Sequence, residues 1–396
     1  MTLLPAMPSF QTFFKNQVEG LVAIEIEGFT CDRDGLPRPL ADEVIQALPE
    51  MWRDQVHEET LLCQLEFASR ASANVAALRD ELQAFEAAVA AALVPHGAEM
   101  RWIGAHPDLM ADASWLRPRE RSRATWRRAG ALAPFIGCCG LHVHVDAPRN
   151  SAIAVLNGLA KLTPLFVALS ATSPVMWGRS WRAASHRASI WLREMPTCCC
   201  PLPQFRDWAD FDGFVGALGV QQIAAGPKDL HWPVRPTRFG TIEVRAFDMV
   251  SSMDWACELA ALVQCCADTL QRDPDWLRAV PLAVANADFC SAVAHGPNAM
   301  LTAASGGRQP APDALASLIE LLGEAPPRLQ CEDELHSLLA RTRARAAEPA
   351  PDCWQPAPAP PPQRVWAWSG PGAVVAASIA GGFAMGIGLG LRMLGA

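Results

Sequence analysis

Tyrosine is absent from the 396 residues, although the chain contains 14 tryptophans. No tyrosine can therefore act as a general acid, a general base or a stacking surface. The P-loop pattern GxxxxGK[ST] is also missing, and the glycine repeat GIGLG (386–390) lies in an apolar tail rather than after a strand. A P-loop and a dinucleotide fingerprint are thus both excluded. An excess of basic residues is lacking too, since the net charge is −8, and we expect no nucleic-acid partner.

The 13 cysteines never form a CxxC pair, and the N-terminus lacks the basic region and apolar run of an export signal. Both features lead us to expect reduced thiols and a catalytic domain in the cytosol. The run 198–200 is either a metal or redox site or an ordinary cysteine-rich loop, and the lack of zinc spacing favours the loop. Because 51% of the residues are hydrophobic, the chain can bury a full core in one large domain or two.

Four short stretches alternate polar and branched apolar residues with the period of a half-buried strand. They are 22–27, Gln64–Ala68, Gly140–Asp146 and the second half of 228–248. One side of each carries polar residues, which are Glu25, Glu27, Glu66, His142, His144, Glu243 and Arg245. We predict an α+β fold in which one antiparallel sheet presents an acidic active-site face and helices cover the other face.

Helical spacing of apolar residues predicts a helix through Leu78 and Leu93 that ends at Pro95. Shorter helices are predicted at 41–48, 152–162, 165–170, 205–218, 255–270 and 281–294. Residues 176–191 are predicted to be a loop, and 102–107, with His106, a strand or loop. The arginine-dense segment 117–128 is interpreted as a solvated helix face, apart from Arg121.

The C-terminal part has a different composition. We predict a catalytic domain over 1–347, a proline-rich extended linker over 348–364 and a transmembrane helix over 373–391. The last segment has no charge for 19 residues and a glycine at every fourth position, as in closely packed membrane helices. Its alternative is a buried or disordered Gly/Ala tail. If residues 373–391 form a transmembrane helix, this helix would anchor the catalytic domain to the cytoplasmic side of the inner membrane.

The acidic face needs cations. Glu25, Glu27, Glu66 and Glu243, with Glu59 as a fifth carboxylate, would repel one another unless neutralised. Arg245 is one neutralising group, and all-oxygen ligands favour Mg²⁺ or Mn²⁺ over zinc as the other. His142 or His144 could add one nitrogen. The alternative for any single residue is an exposed Glu or a hydrogen-bonded core His.

Several motifs in order resemble the type 2 glutamate–cysteine ligases, or carboxylate-amine ligases. They are IEIE (24–27), ETLLCQLEFAS (59–69), GAHP (104–107), Glu120–Arg121, GLHVHV (140–145), ALSATSP (168–174), Arg182 to Arg187, WADFD (208–212) and KDLHWPVRPTRFGTIEVRAFD (228–248). The resemblance covers about 22–248. It implies the glutamine synthetase and glutamate–cysteine ligase superfamily fold, with ATP and Mg²⁺ (or Mn²⁺) as cofactors.

The resemblance also implies roles for individual residues. Ligation of a glutamate-like acid to an amino-acid amine, through an acyl phosphate, would be its reaction. Arg245, Arg187 and Arg235 would hold phosphate or the substrate carboxylate by bidentate contacts. Metal would be held by Glu25, Glu27, Glu59, Glu66, His142 and Glu243. Nucleotide would be bound by Arg121, Arg182, His144 and His106.

Some family positions differ. Asp288, Phe289 and Ala294 stand where the family usually has an Asn-Arg pair and a second Arg, and Ser122 replaces a tyrosine. These changes affect the expected substrate more than the fold. Two alternatives remain open: a metal-dependent phosphohydrolase or kinase that uses the same face, and a non-catalytic, membrane-anchored binding protein. A homodimer is one option for the assembly.

Overall fold

The computed structural model describes residues 9–17, 19–180, 183–195, 198, 200–220 and 230–348. Its centre is a seven-stranded antiparallel sheet in the order β2-β3-β1-β5-β9-β8, with β4 pairing against the far end of β1. The two other sheets are hairpins, β6–β7 and β10–β11. The predicted α+β class with one antiparallel sheet is confirmed, and the four predicted strands are β1, β3, β5 and β9.

The strands are β1 (Val22–Asp32), β2 (Val56–Glu58), β3 (Gln64–Ala68), β4 (Ala98–Arg101), β5 (Gly140–Asp146), β6 (Val175–Met176), β7 (Arg179–Ser180), β8 (Val234–Pro236), β9 (Thr241–Asp248), β10 (Met300–Thr302) and β11 (Arg308–Pro310). The helices are α1 (Phe10–Phe13), α2 (Ala41–Ala47), α3 (Val75–Leu93), α4 (Glu120–Ala129), α5 (Ala152–Lys161), α6 (Thr163–Ser170), α7 (His186–Ser189), α8 (Trp208–Val220), α9 (Met253–Arg272), α10 (Ala285–His295), α11 (Ala311–Leu322), α12 (Ala325–Leu329) and α13 (Glu332–Ala347). Single 3₁₀ turns and one π-helical turn, Ile190–Glu194, connect some of them.

The strand register places the polar side chains on one face. Glu25 lies opposite His142, Glu27 opposite Glu66, and Glu243 opposite both His144 and Arg235. Directly opposed residues of antiparallel strands project from the same side of a sheet, with neighbouring Cβ atoms. The acidic face that period-two alternation predicts is thus assembled by pairing between strands that are distant in sequence.

The opposite face of the sheet is the core. Ile24, Val143 and Val244, on three neighbouring strands, have no exposed surface. Helices α3, α5 and α9 cover this face, and α3 buries Leu78, Leu82, Phe85, Val89 and Leu93, as its apolar spacing predicts. The side chain of Asn74 caps α3 by accepting a hydrogen bond from the Ala77 N–H.

A β-bulge interrupts the pairing of β5 with β9. Leu141 pairs with Phe247 and Val143 with Val244, so β9 carries one extra residue there. As a result Asp248 pairs with Gly140, which lies on the same side of β5 as His142 and His144. Without the bulge, Asp248 would lie on the core face with Val244. Bulges commonly re-aim side chains beside active sites. Strict alternation along β9 does not predict this position for Asp248.

Most predicted helices are present, with ends shifted by a few residues. The break that Pro164 predicts lies at Leu162, between α5 and α6, which are bent by 55°. Residues 176–191 are not the predicted loop throughout, because they contain β7, α7 and the start of the π-helical turn. Arg117 is not part of a solvated face, since it is 2% exposed.

No single helix in the described ranges is long and apolar enough to cross a membrane, and only the bent pair α5–α6 meets that test of length and composition. The predicted tail helix (373–391) and nearly all of the predicted linker (348–364) lie outside the described residues. Both therefore stay predictions.

Candidate active site

Glu27, Glu59 and Glu66 form the acidic end of the polar face. One carboxylate oxygen from each lies within 4.8 Å of the others. Burial, then repulsion from Glu59, raises the pKa of Glu27 to about 7, and the same two causes raise the pKa of Glu66 well above its usual range. The Gly140 N–H donates to Glu27 Oε2 over 2.6 Å. This end of the site thus has more negative charge than its surroundings neutralise.

Glu25 connects the acidic end to two histidines. His142 Nδ1 lies 2.8 Å from one Glu25 oxygen, and His144 Nε2 lies 3.3 Å from the other. Burial opposes ionisation of Glu25, but these two histidines hold its pKa well below the usual value. Burial and the nearby Arg245 lower the pKa of His142 to about 3, so its imidazole is neutral at pH 7.

The tautomer of His142 follows from its neighbours. Nδ1–H donates to Glu25, and Nε2 accepts from the Arg187 guanidinium over 3.3 Å. Both ring nitrogens are therefore engaged. His144 differs: Nδ1 faces Thr241 Oγ1 at 3.0 Å, and the contact with Glu25 raises its pKa despite burial.

Glu243 is the neutralised carboxylate of the site. It is 1% exposed, and Arg235 grips it with two hydrogen bonds of 2.6 and 3.3 Å. Arg245 pairs with the same carboxylate. Burial opposes ionisation, but these two guanidinium groups hold the pKa of Glu243 far below its usual range. Glu243 and Arg245, which the sequence predicts to be neighbours on one side of β9, thus form an ion pair, and Arg235 of β8 is a second partner of Glu243.

Arg187 reaches the site from α7. Its guanidinium donates to the Arg245 carbonyl oxygen (3.1 Å) and to His142 Nε2 (3.3 Å), and it is 4% exposed. A Cβ atom on Gly140 would overlap this guanidinium, so the glycine is what lets Arg187 lie on the β5 backbone. Arg187 is close enough to Glu27 to favour its ionised form.

The donor set distinguishes the candidate metal positions. Glu25, His144 and Glu243 also converge within 4.8 Å, but Glu243 is already neutralised by two arginines. Among the described residues, no arginine or lysine forms an ion pair with Glu27, Glu59 or Glu66. Three oxygen donors without a cationic partner suit a hard divalent ion such as Mg²⁺. The residues present at the acidic end therefore fit such an ion best.

Two predicted site residues lie elsewhere. His106 is 1% exposed, its Nε2 contacts the Gly35 carbonyl oxygen at 2.9 Å, and its Nδ1 accepts from the Asp108 N–H at 3.1 Å. Both nitrogens therefore fix a loop. Arg121 is exposed on α4, away from the contacts described above. Arg182 lies outside the described residues.

Sequence reasoning missed Arg117, which it placed on a solvated helix face. Its guanidinium donates to the carbonyl oxygens of Glu59 (2.7 Å) and Gln64 (3.3 Å) and pairs with Asp42. Arg117 thus ties together both ends of the loop that separates the acidic residues Glu59 and Glu66. Its position just before α4 was the available signal, but an arginine-rich helix gives no reason to single it out.

Comparison with known proteins agrees with this geometry. The model of glutamate–cysteine ligase family 2 matches residues 21–346. The chain belongs to this family. The family model covers every described residue of the acidic face and extends beyond the segment 22–248 that carries the motif resemblance. The predicted family membership is confirmed.

Relatives share the family over most of their length. A protein named "Putative glutamate--cysteine ligase 2" in Clavibacter michiganensis subsp. michiganensis is 30% identical over 342 residues, which are 83% of this chain and 88% of the relative. One of the same name in Leifsonia xyli subsp. xyli is 29% identical over 313 residues, 76% and 82% of the two chains.

Among solved structures, a glutamate–cysteine ligase of Francisella tularensis in complex with AMP matches with a TM-score of 0.59, at 11% identity, over 83% of this chain and 82% of that one. A bifunctional glutathione synthetase of Pasteurella multocida matches with a TM-score of 0.54 over 85% and 48%, at 12% identity. These likenesses support the fold. The family match makes the chain a ligase-type enzyme, as the motifs predict.

Two of the positions that depart from the family pattern have structural roles here. Asp288 accepts from Arg308 (2.8 Å) and from the Thr302 N–H (2.9 Å), which holds the β10–β11 hairpin on α10. Phe289 is 1% exposed and belongs to the core. An arginine at Phe289 would bury an unpaired charge, so this helix face is built for packing rather than for an anionic ligand.

Proposed function

We propose that this enzyme is an ATP- and Mg²⁺-dependent carboxylate–amine ligase that works through an acyl phosphate. One observation carries the proposal: five carboxylates, four of them without an arginine partner among the described residues, lie on and beside one sheet face together with the guanidinium groups of Arg187, Arg235 and Arg245. Separate acidic and guanidinium ends suit a reaction in which metal-bound phosphates meet an anionic acceptor.

Glu27, Glu59 and Glu66 would hold Mg²⁺ or Mn²⁺. When bound, the ion neutralises the phosphates of ATP and the acidic end at once. Glu25 would lie on the histidine side of the same ion, since one of its oxygens lies within 4.8 Å of one Glu66 oxygen and of one His142 nitrogen. His142 would act as an orienting group rather than a ligand, because both of its nitrogens are engaged.

The guanidinium end would bind the transferred phosphoryl group and the acid. The substrate carboxylate oxygen attacks the γ-phosphorus, and the bond from that phosphorus to ADP breaks. The amine nitrogen then attacks the acyl carbon, phosphate departs with the C–O electron pair, and the amine proton passes to phosphate. Arg187 is the best placed arginine for this charge, because its guanidinium has no carboxylate hydrogen-bond partner among the described residues.

The substrate acid is a glutamate-like amino acid and the substrate amine belongs to another amino acid. The names of the relatives suggest glutamate and cysteine, and the AMP bound to the Francisella protein suggests an adenine nucleotide. Because the family's arginine positions are Phe289 and Ala294 here, cysteine is not expected to be the preferred amine.

ADP release tests the proposal. The full-length protein is assayed with ATP and Mg²⁺, with glutamate alone, and with glutamate plus a panel of amines that includes cysteine. A ligase requires acid and amine together for full turnover, and mass spectrometry finds the amide product. ADP release that needs neither would mean a phosphohydrolase, and no release in any combination would mean a non-catalytic protein.

Glu66→Gln is the matched site variant, since it removes one anion while keeping the side-chain size. We expect it to abolish ADP release without loss of folding, because the apolar faces of the strands carry the core. Glu43→Gln, an exposed residue of α2, is the control and should retain activity.

A further inference from the structure

A second buried carboxylate lies at the end of the strand that carries Glu243 and Arg245. Asp248 is 1% exposed, and the bulge in β9 directs it to the polar face beside Gly140. A Cβ on Gly104 would lie 2.7 Å from the Asp248 Cβ, so the chain leaves room for this side chain by having glycine there. Nothing in the proposed chemistry requires Asp248 to contact substrate or metal.

The Asp248 carboxylate is bound by neutral donors. Ser173 Oγ donates to Oδ2 over 2.7 Å, the Thr172 N–H donates to the same oxygen over 3.0 Å, and Ser185 Oγ donates to Oδ1 over 2.6 Å. Burying an anion whose hydrogen-bond donors are only hydroxyls and an amide costs free energy. The other contacts of the two serines indicate what this arrangement does.

Both serines also hold the segment that carries Arg187. Ser173 Oγ accepts from the Arg187 N–H over 3.2 Å, and Ser185 Oγ caps α7 by accepting from the Ala188 N–H over 3.0 Å. Because each serine hydroxyl has one proton and gives it to Asp248, its lone pairs must face these amides. The carboxylate therefore orients both hydroxyls toward the start of α7.

The other end of Arg187 lies on the catalytic face. Its guanidinium reaches Arg245 O and His142 Nε2 across Gly140. Hydrogen bonds thus connect Asp248 through the two serines to the amides of Arg187 and Ala188. The side chain of Arg187 extends from that backbone to the guanidinium. α7 has only four residues before the π-helical turn, and the other backbone hydrogen bonds at its start, from the His186 N–H to Ser173 O (3.0 Å) and from the Ser185 N–H to Val293 O (3.2 Å), do not involve the Arg187 amide.

We propose that Asp248 is a positioning residue that sets the Arg187 guanidinium in the site, acting through Ser173 and Ser185. The inference rests on the proposed function, in which Arg187 binds the transferred phosphoryl group. Asp248 does not touch the reacting atoms. Its removal would leave the metal-binding carboxylates in place and misplace one guanidinium.

The test is a double-mutant cycle in the full-length protein. Asp248→Asn should lower kcat of ADP formation by roughly 100-fold, the effect of misplacing a group by about 1 Å. In the Arg187→Lys background the same change should cost less than about threefold, because the group it positions is already lost. Ser185→Ala should show the same pattern at smaller size and serves if Asp248→Asn does not fold. Equal losses in both backgrounds would overturn the inference.

Amide hydrogen exchange gives a reading that does not depend on activity. Peptides covering 183–192 should exchange faster in Asp248→Asn and Ser185→Ala than in wild type. Ser185→Ala removes the acceptor of the Ala188 amide, and Asp248→Asn removes the carboxylate that orients both serine hydroxyls toward the Arg187 and Ala188 amides. Ser337→Ala is the control: it removes a hydroxyl from another buried carboxylate, Glu258, and should leave exchange and kcat unchanged. Unchanged exchange in both site variants would overturn the inference even if the enzyme lacks ligase activity, whereas an inactive wild type with faster exchange in the variants would refute only the proposed function.

Discussion

The raised pKa of Glu27 makes metal-free folding stability depend on pH. Glu27 titrates at about 7 in the folded protein and at 4.5 when unperturbed, so the folded state holds a proton that the unfolded state has lost between these values. Stability contributed by Glu27 is therefore full below pH 4.5, falls as the pH rises, and stays low above pH 7. The shift corresponds to about 3 kcal/mol.

Glu27→Gln isolates this contribution, since glutamine is neutral at every pH. Without metal, the variant should be more stable than wild type by only about 1 kcal/mol at pH 5, where Glu27 is protonated in the folded state but mostly ionised in the unfolded state. At pH 8 the variant should be more stable by about 3 kcal/mol, because the wild type carries a buried carboxylate beside Glu59. The opposite contribution of His142, whose pKa is lowered to about 3, is present in both proteins.

Mg²⁺ should narrow this difference at pH 8. An ion bound only by the folded state at 100 times its dissociation constant adds about 2.7 kcal/mol to the wild type, while the variant lacks one anion and gains less. Urea denaturation at pH 5 and pH 8, with EDTA or with Mg²⁺, measures all four differences. Glu43→Gln is the control on an exposed site. A wild-type-to-variant difference that is the same at both pH values in EDTA would refute the assignment of Glu27 as a buried, proton-linked metal ligand.

Four further outcomes are expected. Arg245→Lys should lower kcat by roughly 100-fold, because lysine lacks the planar fork; Arg278→Lys, an exposed control, should not, and equal effects would make Arg245 purely a partner of Glu243. Arg117→Met should weaken Mg²⁺ binding about tenfold by loosening the loop between Glu59 and Glu66. If calorimetry finds the same Mg²⁺ affinity as in wild type, the contacts of Arg117 with this loop do not affect metal binding. In the amine panel, a kcat/KM highest for cysteine would contradict the expectation of another preferred amine. In cell fractionation, full-length protein should sediment with membranes and a chain ending at Ala347 should not; a supernatant location for both would refute the tail anchor.

The division of the polar face into an acidic end and a guanidinium end explains why these variants should differ. Glu243 is not an unpaired charge, because Arg235 and Arg245 neutralise it. Glu27 and Glu66 have no arginine or lysine ion-pair partner among the described residues, so binding of the proposed metal would be coupled to their ionisation. Variants at the acidic end should therefore change pH dependence, and variants at the guanidinium end should change turnover.

Side-chain alternation by itself determined which residues of β1, β3, β5 and β9 face the site. A strand reverses face at every residue, so this information is local and can be read from a single stretch. The apolar spacing of α3 determined its buried stripe in the same way. The shared motifs determined the family, which the match over residues 21–346 confirms.

Only the tertiary structure decided how those residues divide the chemistry. The pKa of Glu27 depends on burial and on Glu59, 32 positions away, and no local pattern reports either. The bulge that brings Asp248 to the polar face arises from pairing with β5, a strand about a hundred residues earlier. Arg117 looked like a solvated helix residue until its buried contacts with Glu59 and Gln64 were seen. Periodicity is set by neighbouring residues, whereas charge, burial and register are set by segments that meet only when the chain folds.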